Sequence, residues 1–185
     1  MLYHDLLTSP YLDNFDLKEL NKFTNNDGAK EKAISIIMKK KLVGNYSIDE
    51  NGKPINPNIY FNISHSNGFV VFTKDKYPIG IDIEKIRESN PRLIEYISSK
   101  EEQDYIKDDK SFFEIWTNKE SLGKAIGVGV FANTKEIPAL PINGVKRYQN
   151  KDYYSKSIQY KDFIISVARE GLKNFELEIK NFDFE

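Results

Sequence analysis

Asp82 and Glu84 stand two positions apart in Ile79-Gly-Ile-Asp-Ile-Glu84. In a strand, Ile79, Ile81 and Ile83 point to one face while Gly80, Asp82 and Glu84 share the other. Two steps along a strand cover ~7 Å, so the two carboxylates repel unless a cation lies between them or water solvates them. A plain amphipathic strand with a wetted polar face is the simpler account of this pattern taken alone. Gly80 adds something, because a glycine inside a strand often marks the close approach of a ligand or of other backbone.

A second group lies in Trp116-Thr-Asn-Lys-Glu-Ser-Leu-Gly-Lys124. On a helix, Trp116, Glu120 and Lys124 fall on one stripe at i, i+4 and i+8, with Lys119 alongside. An ordinary surface Glu-to-Lys pair, worth roughly 0.2–0.5 kcal/mol, and a core tryptophan would give the same spacing. Gly123, however, costs a helix about 1 kcal/mol relative to alanine. A gap beside a glutamate and two lysines suits a phosphate-bearing ligand. The third group is Phe61-Asn-Ile-Ser-His-Ser66, followed by Asn67-Gly68. His65 is one of two histidines and sits between two hydroxyls, where an imidazole can donate to phosphate or make an ordinary turn hydrogen bond. His4, the other, lies in an unpatterned amino terminus. Together the groups supply three carboxylates, several lysines and a histidine, a set that suits a metal-bridged diphosphate.

The elements that must carry these residues alternate in type. Thr24-Asn-Asn-Asp27 reads as a helix start, with Ala29, Ala33, Ile34, Ile37 and Leu42 at helical spacing. Glu50-Asn-Gly-Lys-Pro54 holds a turn, and residues 59–64, 69–73 and 79–83 are β-rich runs. Residues 92–127 return to helix: Ser99 and Glu102 form a capping box, Asp108 or Asp109 caps a longer helix through Ile126, and Gly127 closes it. Strands follow at 153–159, 163–168 and 175–180, the last with Phe175, Leu177 and Ile179 alternating with charges. That order implies an α+β fold. Two similar α+β halves, 1–87 and 88–185, would divide the motifs between them.

Composition narrows the class of function. The chain has 185 residues, 39% hydrophobic and 30% charged, which suits a folded protein. Its net charge of −1 excludes the global basic excess of a protein that coats nucleic acid. Only four of the 27 basic residues are arginine, so phosphate binding would rest on lysine point charges. The absence of cysteine excludes disulfides and thiolate sites. No signal segment or membrane span is legible, and a cytoplasmic protein is expected.

Taken in order, Gly52-Lys-Pro54, Phe61-Asn-Ile-Ser-His-Ser66, Gly80-Ile-Asp-Ile-Glu84 and Trp116–Lys124 resemble the 4′-phosphopantetheinyl transferases, and the surfactin-synthetase-activating type more than the short holo-acyl-carrier-protein synthases. The resemblance runs from about Gly28 to Gly129. It implies two pseudo-symmetric halves with a coenzyme A cleft between them, in a monomer. It also implies a reaction: the 4′-phosphopantetheine arm of coenzyme A passes to a serine hydroxyl of an apo acyl or peptidyl carrier protein, and adenosine 3′,5′-bisphosphate leaves. By the same resemblance Asp82, Glu84 and Glu120 would bind Mg²⁺ or Mn²⁺. Glu120 would take the serine proton and Lys124 would meet the departing bisphosphate. Lys119 would contact phosphate, Ser64 and His65 the nucleotide phosphates, and Lys53 and Pro54 the adenine. Lys30 or Lys32 is the nearest equivalent of the first-helix basic residues that take the 3′-phosphate. Lys100, Lys107 and Lys110, with Ile94 and Ile97 nearby, are candidates to receive the carrier, and read equally well as solvated lysines and ordinary core isoleucines. A non-catalytic carrier-protein or nucleotide-binding module of the same fold is the rival; it would be expected to have lost an acid or Lys124, and none is lost.

Overall fold

A computed structural model describes residues 3–23, 26–50, 52–128 and 134–184. Three helices come first: α1 (Tyr3–Leu7), α2 (Asn14–Leu20) and α3 (Asn26–Val43). The helix expected from Thr24 is present as α3, although Thr24 itself lies outside the described residues. The weakly patterned first 23 residues hold two helices that sequence periodicity did not reveal. They are too short to show a repeat, yet Leu6 and Leu20 pack with Ala33, Ile36 and Ile37 of α3 in one core cluster.

Short strands β1 (Ser47–Ile48) and β2 (Pro54–Ile55) pair with each other. The hairpin of β3 (Tyr60–Ser66) and β4 (Phe69–Asp75) follows. Its two-residue turn needs left-handed backbone at both positions, supplied by Asn67 at φ 47° and Gly68 at φ 82°. The central strand is β5 (Ile79–Lys85). Helices α4 (Pro91–Ile97), α5 (Lys100–Tyr105) and α6 (Asp109–Ile126) come next, and β6 (Gly144–Tyr148), β7 (Lys151–Tyr160) and β8 (Phe163–Glu170) complete the regular elements. The fold is α+β. A four-stranded antiparallel sheet runs β5-β8-β7-β6, so β5 is joined directly to strands that arrive some eighty residues later.

β5 is sandwiched, and its two faces differ in kind. Ile79, Ile81 and Ile83 pack with Phe163, Ile165 and Val167 of β8, covered by Phe69 and Val71 of the hairpin. Each fully buried side chain of this size contributes roughly 1.5–3 kcal/mol, which fixes the register and turns Gly80, Asp82 and Glu84 to the other side, toward α6. The ends of α6 are set by its own sequence: Asp108 forms a capping box with Ser111, and Gly127 closes the helix in left-handed conformation at φ 90°. The Ser99–Glu102 capping box of α5 is also formed.

The expected strand at 175–180 is not one. Residues 172–184 join no ladder. Phe175 and Leu177 pack against the β5–β8 cluster, and Phe182 and Phe184 against the helical one. Alternation reported a buried face, and side-chain packing satisfies that face without hydrogen-bonded pairing. β6 went unpredicted because Gly144-Val-Lys-Arg-Tyr148 has too few apolar positions to show a period.

Candidate active site

α6 is buried almost all round. Phe112, Phe113, Ile115, Leu122 and Ala125 enter the core, and Thr117, Asn118 and Ser121 are equally enclosed. Thr117 and Asn118 bond across to Ser157 and Ser166 of β7 and β8, which explains polar residues inside a helix core. The half-open stripe that remains carries Trp116, Glu120 and Lys124. Trp116 stacks on Phe112, with ring centroids 6.5 Å apart. Gly80 lets this stripe reach β5: a Cβ there would stand 2.6 Å from the Ala125 nitrogen and 2.9 Å from the Lys124 Cβ. The close approach that Gly80 signalled is therefore helix backbone.

Where the two elements touch, Lys124 Nζ donates to Asp82 Oδ1 at 2.6 Å, to Ser64 Oγ at 3.0 Å and to the Ile81 carbonyl at 3.2 Å. Ser64 in turn donates to the same Asp82 Oδ1 at 2.8 Å. Asp82 is only 5% exposed, and its Oδ2 is buried with no hydrogen-bond donor. Burial pushes the Asp82 carboxyl above the usual carboxylate range, opposed by Lys124 and Ser64. Glu84 Oε2 accepts from Arg87 Nη1 at 2.9 Å and from Ser66 Oγ at 3.2 Å.

Glu120 is half-buried, and burial, reinforced by Asp82 and opposed by Lys124, pushes its pKa up to about 7. The linkage has a definite sign. Below the ordinary value of 4.5 the carboxyl is protonated folded or unfolded, and its stabilising contribution is complete; that contribution is lost as pH rises through about 7, where the folded protein must ionise it. In metal-free protein Glu120→Gln should therefore gain on the order of 2 kcal/mol at pH 8, allowing for partial solvent screening, and almost nothing near pH 4.5. Denaturant titrations at the two pH values measure this, and equal gains at both would contradict it.

Lys119 does not join this site. It is wholly buried, and its ammonium group is held by Glu102 Oε2 at 2.8 Å and by the Thr134 and Ile137 carbonyls at 2.9 and 2.6 Å. One residue along a helix is a turn of about 100°, so the neighbour of an outward-facing Glu120 points into the core, where phosphate has no access. Glu102, which also accepts from the Ala139 N–H at 2.9 Å, is the partner the sequence did not reveal; its role in the α5 cap concealed it.

The remaining expected residues lie on other elements and on loops. His65 is 57% exposed, and its Nδ1 is 2.8 Å from Glu31 Oε2 of α3. Lys30 is half-buried and Lys32 exposed on the same helix. Lys53 Nζ donates to the Lys124 carbonyl at 2.9 Å, satisfying one of the open carbonyls at the end of α6. Burial lowers the pKa of that ammonium group. Lys53 and Pro54 border a cavity of about 280 Å³ with Tyr60, Pro78 and Tyr153. Lys100, Lys107 and Lys110 are exposed. Ile97 is 0% exposed, enclosed by Phe112, Phe113 and Ile164, so it is a core residue and no anchor for a partner.

Among the described residues, no three His, Asp or Glu side chains are converged closely enough to hold a metal ion as they stand. The two strand acids each hold a cation of the protein's own, Lys124 on Asp82 and Arg87 on Glu84. The donor chemistry nevertheless fits a hard divalent cation: carboxylate oxygens are what Mg²⁺ takes, and Asp82 Oδ2 is a buried oxygen with no donor.

Comparison with known proteins singles out this same part of the molecule. Residues 78–168, from the start of β5 almost to the end of β8, match the 4′-phosphopantetheinyl transferase superfamily. This stretch belongs to that superfamily. The chain is 41% identical over 90 residues to 4′-phosphopantetheinyl transferase gsp of Aneurinibacillus migulanus, covering 45% of this chain and 38% of that protein. It is 38% identical over 94 residues to 4′-phosphopantetheinyl transferase Sfp of Bacillus subtilis (strain 168), covering 46% and 42%. The psf-1 transferase of Bacillus pumilus matches at 35% over 94 residues, covering 46% and 40%. The chain thus spans about two-fifths of the length of the curated relatives it matches. The superfamily stretch contains Asp82, Glu84, Glu120 and Lys124, whereas Lys30, Lys53, Pro54, Ser64 and His65 precede it. Among the described residues no helix is long and apolar enough to cross a membrane.

Proposed function

We propose that the protein transfers the 4′-phosphopantetheine moiety of coenzyme A to a serine hydroxyl of an apo carrier protein and releases adenosine 3′,5′-bisphosphate. The observation that carries this reading is the contact of Lys124 with Asp82 beneath the open stripe of α6, inside the stretch matched to the superfamily. In the transfer, the serine oxygen forms a bond to phosphorus as the bond to the departing bisphosphate breaks, and the serine proton must go to a base. Glu120 is the base this site offers: it lies on the open stripe, and no hydrogen bond to another described residue occupies its carboxylate. Lys124 places its positive charge where the leaving phosphate gathers negative charge. Asp82, Glu84 and Glu120 would hold the Mg²⁺ or Mn²⁺, which supplies charge neutralisation on the diphosphate when bound.

Coenzyme A would lie with its nucleotide end over Ser64, His65, Lys53 and Pro54, and its 3′-phosphate toward Lys30 or Lys32. The cavity bordered by Lys53 and Pro54 supports the adenine end of that placement. A catalytically silent binding module of the same fold would form no product. Release of adenosine 3′,5′-bisphosphate from coenzyme A that depends on both apo carrier and divalent cation separates the two, and binding without release would favour the silent module.

The carriers that the family resemblance implies would present an acidic helix, and this chain, at a net charge of −1, has no overall positive field to attract it. Attraction would then rest on exposed Lys100, Lys107 and Lys110. The apparent KM for carrier should rise with ionic strength, because such charges are screened over ~8 Å at physiological salt. A Lys107→Glu/Lys110→Glu double variant should raise it several-fold at low salt and leave coenzyme A binding unchanged. Unaltered carrier kinetics in that variant would place docking elsewhere.

A further inference from the structure

We infer that Arg87 is a counter-cation built into the chain that holds Glu84 away from the divalent-cation site and so sets how tightly the coenzyme-free protein binds that cation. This inference rests on the metal-binding part of the proposed function and deepens it. Three acids that would share one ion are not converged; mutual repulsion opposes their convergence, and a cation already paired with one of them opposes it further. For Asp82 the opposing cation is Lys124, which also has Ser64 Oγ and the Ile81 carbonyl as acceptors, and so stays seated if an ion engages the other oxygen, Oδ2.

Glu84 differs. Its Oε2 takes a hydrogen bond from Arg87 Nη1 at 2.9 Å, three residues along the chain, and that same nitrogen also donates to the Lys85 carbonyl at 3.0 Å. The guanidinium lies over the Phe113 ring at 4.8 Å from its centroid, a contact that favours a delocalised planar cation. Phe113 is a core residue of α6, 3% exposed, so it offers a fixed platform. At the same time the Arg87 side chain is 55% exposed, and such pairs are weak. A divalent ion can therefore displace it, but only against that pair and against repulsion from the arginine charge nearby. Arg87 meets none of the other site carboxylates through a hydrogen bond or ion pair among the described residues, which makes it a selective restraint on Glu84.

Direct binding of Mn²⁺ to metal-stripped full-length protein, without coenzyme A, tests this through free-ion electron paramagnetic resonance or calorimetry. Arg87→Gln should tighten Mn²⁺ roughly three- to tenfold, the range that a weak exposed pair plus a removed like charge allows. Arg87→Lys, which keeps the charge, should stay much nearer to wild type, and Glu84→Gln should weaken binding. Unchanged or weaker Mn²⁺ binding in Arg87→Gln, with a wild-type melting curve, would overturn the inference. If Glu84→Gln still loses Mn²⁺ in that case, the metal site itself stands. Mn²⁺ binding that is absent in wild type, or indifferent to both Asp82→Asn and Glu84→Gln, would remove the metal site and the restraint together.

Discussion

Asp82→Asn is expected to lower phosphopantetheinyl transfer by at least ~10²–10³-fold, the usual consequence of removing one preorganised charge-stabilising group, while the protein remains folded. Asparagine keeps the shape and one oxygen, so Ser64 and Lys124 retain an acceptor where Oδ1 now stands. It also removes a buried carboxylate whose Oδ2 has no donor and whose ionisation burial opposes. Stability at neutral pH should accordingly be close to that of wild type. Asp82→Ala is a poorer test, because truncation would remove the acceptor that Lys124 and Ser64 share, a change that is destabilising in its own right. Saturating coenzyme A and divalent cation should not restore the rate. Wild-type turnover by Asp82→Asn would remove this carboxylate from the chemistry.

Gly80→Ala should be severely damaging, although it adds a single methyl group. The new Cβ would meet the Ser121 carbonyl oxygen, the Ala125 nitrogen at 2.6 Å and the Lys124 Cβ at 2.9 Å. Two of these are backbone atoms of a helix whose opposite side is packed in the core, so neither can turn aside. α6 would have to withdraw from β5, taking Lys124 off Asp82. A loss of about 3 kcal/mol or more is expected, the upper end of overpacking costs, and a large share of a typical domain's stability. Thermal and denaturant unfolding measure it, and a midpoint within a degree or two of wild type would mean that β5 and α6 are not held in this contact.

Local chemistry made much of this fold legible. The caps at Ser99, Asp108 and Gly127 were readable because each depends on residues within one turn of chain. The faces of β5 and the open stripe of α6 were readable because period and burial agree in both elements. Lys119 was misread because its neighbours are the site residues Glu120 and Lys124; the buried partner that claims it, Glu102, lies seventeen positions away on another helix. Ile97 stayed open between anchor and core for a related reason, since helical apolar spacing does not tell the two apart, and its burial decides for the core. Arg87 and Glu31 were missed because nothing local tells an arginine or glutamate that pairs with a site residue, such as Glu84 or His65, from one that faces water.

Intact-protein mass spectrometry of an apo carrier asks whether the site between β5 and α6 transfers the phosphopantetheinyl arm. Incubated with coenzyme A, Mg²⁺ and this protein, the carrier should gain the mass of one phosphopantetheinyl group. The gain should be absent when the carrier serine is replaced by alanine and absent with the Asp82→Asn protein. A panel of acyl and peptidyl apo carriers that all keep their unmodified mass, with folded wild-type protein, would contradict transfer at this site.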